Sequence, residues 1–208
     1  NSESLNTKHS TLNYVLYATL AALVLADMLP VNKRFFGHDH FVKAKDADAY
    51  FAMQPYEQQI LQDKDPNFRV LNLATNTFND ARTSYRLKSI GGYSAAKLRR
   101  YQDLIDEHIS HEMNPLMQTI MQTQGFMLPD KNEGKDFPVL NMLNMKYAVV
   151  PLQGGKQAPV QNPYAMGNCW FVDEVILVDT PDEECAALSS LDLHKQAVAD
   201  KKFAEALD

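Results

Sequence analysis

The residues best suited to chemistry lie in two neighbouring stretches. The first follows the apolar run Phe68–Leu73 and reads Ala74-Thr-Asn-Thr-Phe-Asn-Asp80, with Asn72, Asn76, Asn79 and Asp80 at or just past the run's end. The second is Ser84–Ile109, in which Tyr85, Lys88, Gly91, Gly92, Tyr93, Lys97 and Arg100 surround a double glycine. Side-chain amides both donate and accept hydrogen bonds, and aromatic rings stack on apolar faces, so the mixture suits a polyhydroxylated ligand. Asn and Asp also build turns for purely local reasons. A Gly pair ahead of a helix can cradle an anion, or it can be a tight turn and nothing more. It is neither GxGxxG nor a phosphate loop, which argues against a nucleotide site.

These residues need elements to position them. FRVLNL is apolar and β-branched enough for a buried strand, and ligands dock at the carboxyl end of such strands in open α/β sheets. After the glycines, Leu98, Tyr101, Leu104, Ile105 and Ile109 recur at helical spacing, with Ser94 as the expected N-cap. Asn114-Pro115 predicts a second helix start and Gly125 its stop. Pro55 predicts a short helix through Gln62. Lys146–Leu152 reads as a strand, Gln153-Gly-Gly-Lys156 as a hairpin turn, and Gln157–Gln161 as its return, with Pro151 and Pro159 placing the hairpin at a sheet edge. Cys169–Asp179 is the strongest strand signal, Thr180-Pro-Asp-Glu183 a capping box, and Ala197–Ala199 a last edge strand. The expected fold class is α/β: a mixed sheet of about four to five strands flanked by helices, with an N-terminal apolar helix.

At 208 residues and a net charge of −6, one domain with appendages is expected, and a general nucleic-acid binder is not. Cys169 and Cys185 are too few for a disulfide scaffold and have no zinc spacing. Ser10–Ala26 carries no charge and stands at the low edge of a membrane helix, with a buried core helix as the alternative. The organisation read from this is 1–30, an apolar membrane-proximal helix; 31–66, a basic-aromatic connector with a short helix; and 67–208, the α/β domain. Two trios have metal-ligand types: His38, Asp39 and His40, and His108, His111 and Glu112. The second reads better as a solvated helix end. There is no GxSxG, HExxH or CxxC, so a stand-alone enzyme has no motif behind it, and no cofactor is expected.

Several ordered motifs carry a resemblance. DPNFRVLNL with NTFND, SYRLKSIGGYSAAKLRRYQDLID, NMLNMKYAVVP and QNPYAMGNCWFVDEV, together with the apolar run ending ADMLPVNKRFF, resemble the YfhO-type bacterial membrane protein family across most of Leu12–Phe203. That family is similar to multi-pass glycosyltransferases using a lipid-linked sugar donor on the outer face of the membrane. The resemblance implies an extracytoplasmic domain that sits at the cell membrane, partners the membrane portion of the same parent protein, and meets a glycan acceptor or lipid-linked sugar. Asn72, Asn76, Asn79, Ser84, Tyr85, Lys88, Gly91, Gly92 and Tyr93 match the family pattern, and Arg86 stands where an aromatic residue would be expected. Catalytic residues would lie in loops between membrane helices, so none carries over to this chain. The alternative is a structural or partner-docking module without a ligand.

Overall fold

The computed structural model describes residues 2–37, 39, 41–123, 127–128 and 136–206, with side chains from residue 11 onward. The chain divides into two units, residues 1–52 and 53–208.

The first unit is dominated by α1, Ser2–Phe35. The helix runs through Asp27 and Pro30, where the sequence suggested a stop. One proline removes a single backbone donor, and apolar residues on both sides keep the helix going. From Thr11 to Phe35 it is 25 residues long, and none of its membrane-length apolar window is buried. At 1.5 Å per residue that is about 37 Å, against about 30 Å of hydrocarbon in a bilayer. Length and composition therefore suit a membrane span, as they would a signal sequence. The Thr19 hydroxyl donates to the Val15 carbonyl at 2.8 Å, so this polar group needs no water. Lys33 and Arg34 close the helix, and α2, Ala44–Phe51, follows with no buried residue. His38 and His40 lie outside the described residues, so the first metal trio has no structural account.

The second unit is mixed α/β. Its main sheet has the order β1–β2–β3, formed by β1 (Arg69–Asn72), β2 (Met145–Pro151) and β3 (Gln157–Gln161). β1 runs parallel to β2, and β2 antiparallel to β3. Pro159 sits on the edge strand, as expected of a residue with no N–H to give. Segment 88–90 extends the sheet on the other side of β1: Val70 N–H donates to Lys88 O at 2.8 Å and Ile90 N–H to Val70 O at 3.0 Å. A second, two-stranded parallel sheet pairs β4 (Glu174–Val178) with β5 (Gln196–Asp200). Three and two strands with flanking helices make the expected mixed fold.

Strand alternation sends side chains to two faces. Leu71, Ile90, Ala148 and Val150 pack on one face with Ile105, Ile109, Leu116, Ile120, Val139 and Leu140. Val70 and Val149 pack on the other with Tyr56, Ile60, Phe68 and Leu87. Fully burying each Leu, Ile or Val contributes about 1.5–3 kcal/mol. Tyr56 and Ile60 belong to α3, Pro55–Ile60, which has Pro at its first position; Glu57 closes the capping box by accepting the Gln54 N–H at 2.6 Å.

Several boundaries differ from the sequence reading. The helix after the glycines begins at Arg99, with Leu98 as N-cap and exposed; Ser94 instead caps a turn, accepting the Ala96 N–H at 3.3 Å. From α4 (Arg99–Leu104) the chain passes through a wide turn, Ile105–Ile109, into α5 (Ser110–Thr123) without a break. Pro115 therefore lies inside a helix and does not start one. Burying Ile109, Leu116 and Ile120 on one line outweighs the lost hydrogen bond. Gly125 lies outside the described residues. The Cys169–Asp179 signal yields only Glu174–Val178 as strand, and Phe171 ahead of it is fully exposed. Trp170 is half-buried, and its indole N–H donates to the Leu193 carbonyl at 2.9 Å. Thr180 caps α7, Pro181–Ala187, by accepting the Glu183 N–H; Glu183 reaches back to the Asp179 N–H, one residue further than the box predicts.

Candidate functional site

The two faces define where the chain reverses its winding. Leaving β1, residues 74–87 deliver Leu87 to the α3 face. Leaving segment 88–90, the next connection delivers α4, α5 and α6 (Pro138–Met142) to the opposite face. Neighbouring segments thus depart the sheet to opposite sides, which is a topological switch point, the usual ligand position in an open α/β sheet. The amide-rich loop after Asn72 and the Gly91-Gly92 turn meet there.

They meet closely. The Gly92 N–H donates to the Thr77 carbonyl at 2.7 Å. A Cβ on Gly91 would lie 2.0 Å from that carbonyl oxygen, so only glycine allows the approach. Gly92 has φ +114°. The double glycine is a packing device, and the Gly92 N–H that an anion would use is already taken.

Asn72 lies underneath, 2% exposed. Its amide N–H donates to Thr83 Oγ1 at 2.9 Å, its oxygen accepts the Ala74 N–H at 2.9 Å, and its carbonyl accepts from the Thr77 hydroxyl at 2.8 Å. It ties the loop shut and faces no solvent. Replacing Asn72 by Ala is expected to cost about 2 kcal/mol through the buried groups left unpaired, read as a lower urea midpoint in Trp170 fluorescence.

Around this closed centre, Asn76, Asn79, Tyr85 and Tyr93 are exposed. Asn76 holds its own turn through its carbonyl, which accepts from Asn79 and Asp80 N–H. Lys97 lies 5.5 Å over the Phe78 ring, with its ammonium 3.2 Å from Gln102 Oε1. Two expected members stand apart. Lys88 donates to the Pro66 carbonyl at 2.6 Å, at the amino end of β1 and away from the glycines. Arg100 pairs with Glu184 of α7 at 2.7 Å. That pair is exposed on the arginine side, and Arg100→Ala should change stability by less than about 1 kcal/mol, a melting shift of a few degrees at most.

The His108, His111 and Glu112 trio neither converges nor faces solvent as a group. Buried His108 places Nε2 2.8 Å from the Cys185 carbonyl, so that nitrogen carries the proton; Nδ1 is 3.4 Å from the Ser189 hydroxyl. His111 Nδ1 reaches the Glu107 carbonyl at 2.9 Å, within its own helix. Buried Glu112 accepts the Val139 and Leu140 N–H groups at 2.9 Å each, capping α6 from another element. Burial pushes its pKa up to about 7, and the two N–H donors pull the other way and lose. Among the described residues no group of three or more His, Cys, Asp or Glu could hold a metal. Cys169 is exposed, Cys185 half-buried, and both are free.

Three concavities among the described residues lie elsewhere. One, of about 500 Å³, is lined by Gln59, Gln62, Asp63, Met127, Tyr147 and Gln161 among others. Another, of about 750 Å³, lies between α6 and the Ser189–Lys195 segment, and one of about 250 Å³ lies between α4 and α7. Of their walls the sequence reading named only Arg100 as a site residue, on the third, because those walls come from residues far apart in the chain. Comparison with models of known families, with curated proteins and with solved structures gives no match.

Proposed function

We propose that residues 53–208 are the water-facing recognition domain of a membrane glycosyltransferase-like protein of the YfhO type, held at the bilayer by α1 on the extracytoplasmic side and assisting the binding of a glycan acceptor or lipid-linked sugar donor. The observation that carries this is the meeting of two amide- and tyrosine-bearing loops at the switch point of the sheet, where Asn76, Asn79, Tyr85 and Tyr93 stand exposed around the Thr77–Gly92 contact. The unburied apolar α1 supports the membrane part of the reading, and the ordered sequence motifs support the family part. A second reading, a structural module that binds no sugar, draws on Asn72, Gly91 and Gly92, all of which serve internal packing.

Two measurements test the proposal. The exposed Cys169 thiol reports sidedness: in intact bacterial spheroplasts, a membrane-impermeant maleimide should label it without permeabilisation. Labelling only after lysis overturns the extracytoplasmic placement. Titration of the full chain with undecaprenyl-phosphate-linked glucose should move the Asn76, Asn79 and Tyr93 resonances; stationary resonances throughout the protein favour the structural module.

A further inference from the structure

The cleft under α3 has chemistry that the loops at the switch point lack. A bulge in β2 shapes it: Arg69 pairs with Met145 but Val70 with Tyr147, so Lys146 is the extra residue. Successive strand residues normally point to opposite faces, and a bulge re-aims them. Here Lys146 and Tyr147 both reach one carboxylate: the Lys146 ammonium is 2.7 Å and the Tyr147 hydroxyl 2.9 Å from Asp63 Oδ2. Asp63 Oδ1 accepts the Asp65 N–H at 3.0 Å. Those hydrogen bonds and the ammonium hold the Asp63 carboxyl below its usual range, so it is an anion at neutral pH.

Gln59, Gln62 and Gln161 stand around that carboxylate, and their side-chain amides make no hydrogen bond to the described residues. Three bifunctional amides and one anionic acceptor, beside the Tyr147 ring and the Met127 and Pro159 side chains, line the cavity of about 500 Å³. This size is that of a small-molecule site. Among the described residues no Lys or Arg lines it, and Lys146 is taken up by Asp63, Asp65 and the Phe68 ring. A phosphate or carboxylate ligand would meet repulsion from Asp63. A peptide adding to the β3 edge would find Pro159 without an N–H and the Gln161 carbonyl already accepting from Leu128 at 2.9 Å. What fits is an uncharged molecule with many hydroxyls and one apolar face: each hydroxyl can donate to Asp63 or an amide oxygen and accept from an amide NH₂.

We propose that the cleft formed by Gln59, Gln62, Asp63, Tyr147 and Gln161 binds a neutral sugar ring. The inference rests on the glycan reading given above and narrows it: the uncharged sugar of an acceptor docks here, and the phosphate-bearing part of a lipid-linked donor does not.

The test is a titration of the full ¹⁵N-labelled chain, in a detergent without a sugar head group, with glucose, galactose, mannose and N-acetylglucosamine in turn, up to about 50 mM. The side-chain NH₂ resonances of Gln59, Gln62 and Gln161 should shift saturably with at least one of the four. Gln62→Ala and Gln161→Ala, which remove no side-chain hydrogen bond to the described residues, should each weaken that binding about tenfold and leave the melting temperature unchanged. If none of the sugars moves the three glutamine resonances, the inference is overturned. If a sugar moves Asn76, Asn79 and Tyr93 instead, this cleft is overturned and the switch-point reading stands. If both variants bind like the parent chain, the assignment to these amides is overturned.

Discussion

Raising the pH from about 4.5 to 8 is expected to weaken the second unit by about 3 kcal/mol, with most of the loss complete near pH 7. The source is Glu112. Its carboxyl moves from an ordinary value of 4.5 to about 7 on burial. Between those two values the folded chain holds a proton that the unfolded chain has lost, so unfolding gains on folding at each step upward in pH. Above pH 7 both states are ionised and the slope ends; below pH 4.5 both are protonated and the full stability is present. Asp63, Asp65 and Asp200 have carboxyls held low by lysine partners and N–H donors, so their contribution is lost only as pH falls below about 4, outside this window. Urea midpoints followed by Trp170 fluorescence at intervals from pH 4.5 to 8 would record the slope. Glu112→Gln should flatten it, because a neutral amide does not titrate. The same change should lower stability at pH 5 by about 1–2 kcal/mol, since its NH₂ cannot accept from one of the Val139 and Leu140 N–H groups. A parent chain whose midpoint does not vary over this range would show that Glu112 is not the buried acid described.

Gly91→Ala should cost about 3 kcal/mol or more, a loss reserved for a few kinds of substitution. The new methyl would sit 2.0 Å from the Thr77 carbonyl oxygen and 2.9 Å from Thr77 Cγ2. The first obstacle is backbone, so the loop after β1 must move, and the Gly92–Thr77 hydrogen bond goes with it. Trimming Thr77 to Ser in the same chain should give no rescue, since the carbonyl remains. Asn76→Ala, on the exposed side of that loop, should change stability by no more than about 0.5 kcal/mol. Measured side by side, the three variants separate a tight contact from a merely polar loop. Full rescue by Thr77→Ser would mean the obstruction is the side chain and not the main chain.

How much of this was legible beforehand depended on how local each cause was. The hairpin from Met145 to Gln161 is encoded by its own glycines and prolines, and the sequence reading places it where it lies. The strand at Phe68–Leu73 and the last strand near Ala197–Ala199 are likewise written in short apolar runs. Pro115 misled because a proline rule describes one turn, while the helix there is held by Leu116 and Ile120 against the sheet. Asn72 looked like a ligand contact because its partner Thr83 lies 11 residues on, beyond any local pattern. Glu112 looked solvated because its capped helix begins 26 residues later, at Pro138. The glutamine-lined cleft drew on α3, a bulge in β2 and the far end of β3, and no window of sequence contains all three.

The parallel pairing of β1 with β2 sets a timetable for biosynthesis. Arg69 is made 76 residues before its partner Met145. At about 5–20 residues per second, the apolar strand waits about 4–15 s for its neighbour. During that interval Val70 and Leu71 have only the short segment 88–90 to pair with, and a nascent chain stalled before β2 presents their other flank to chaperones and proteases. Codon usage between residues 73 and 144 should therefore govern the yield of intact protein more strongly than codon usage after residue 161.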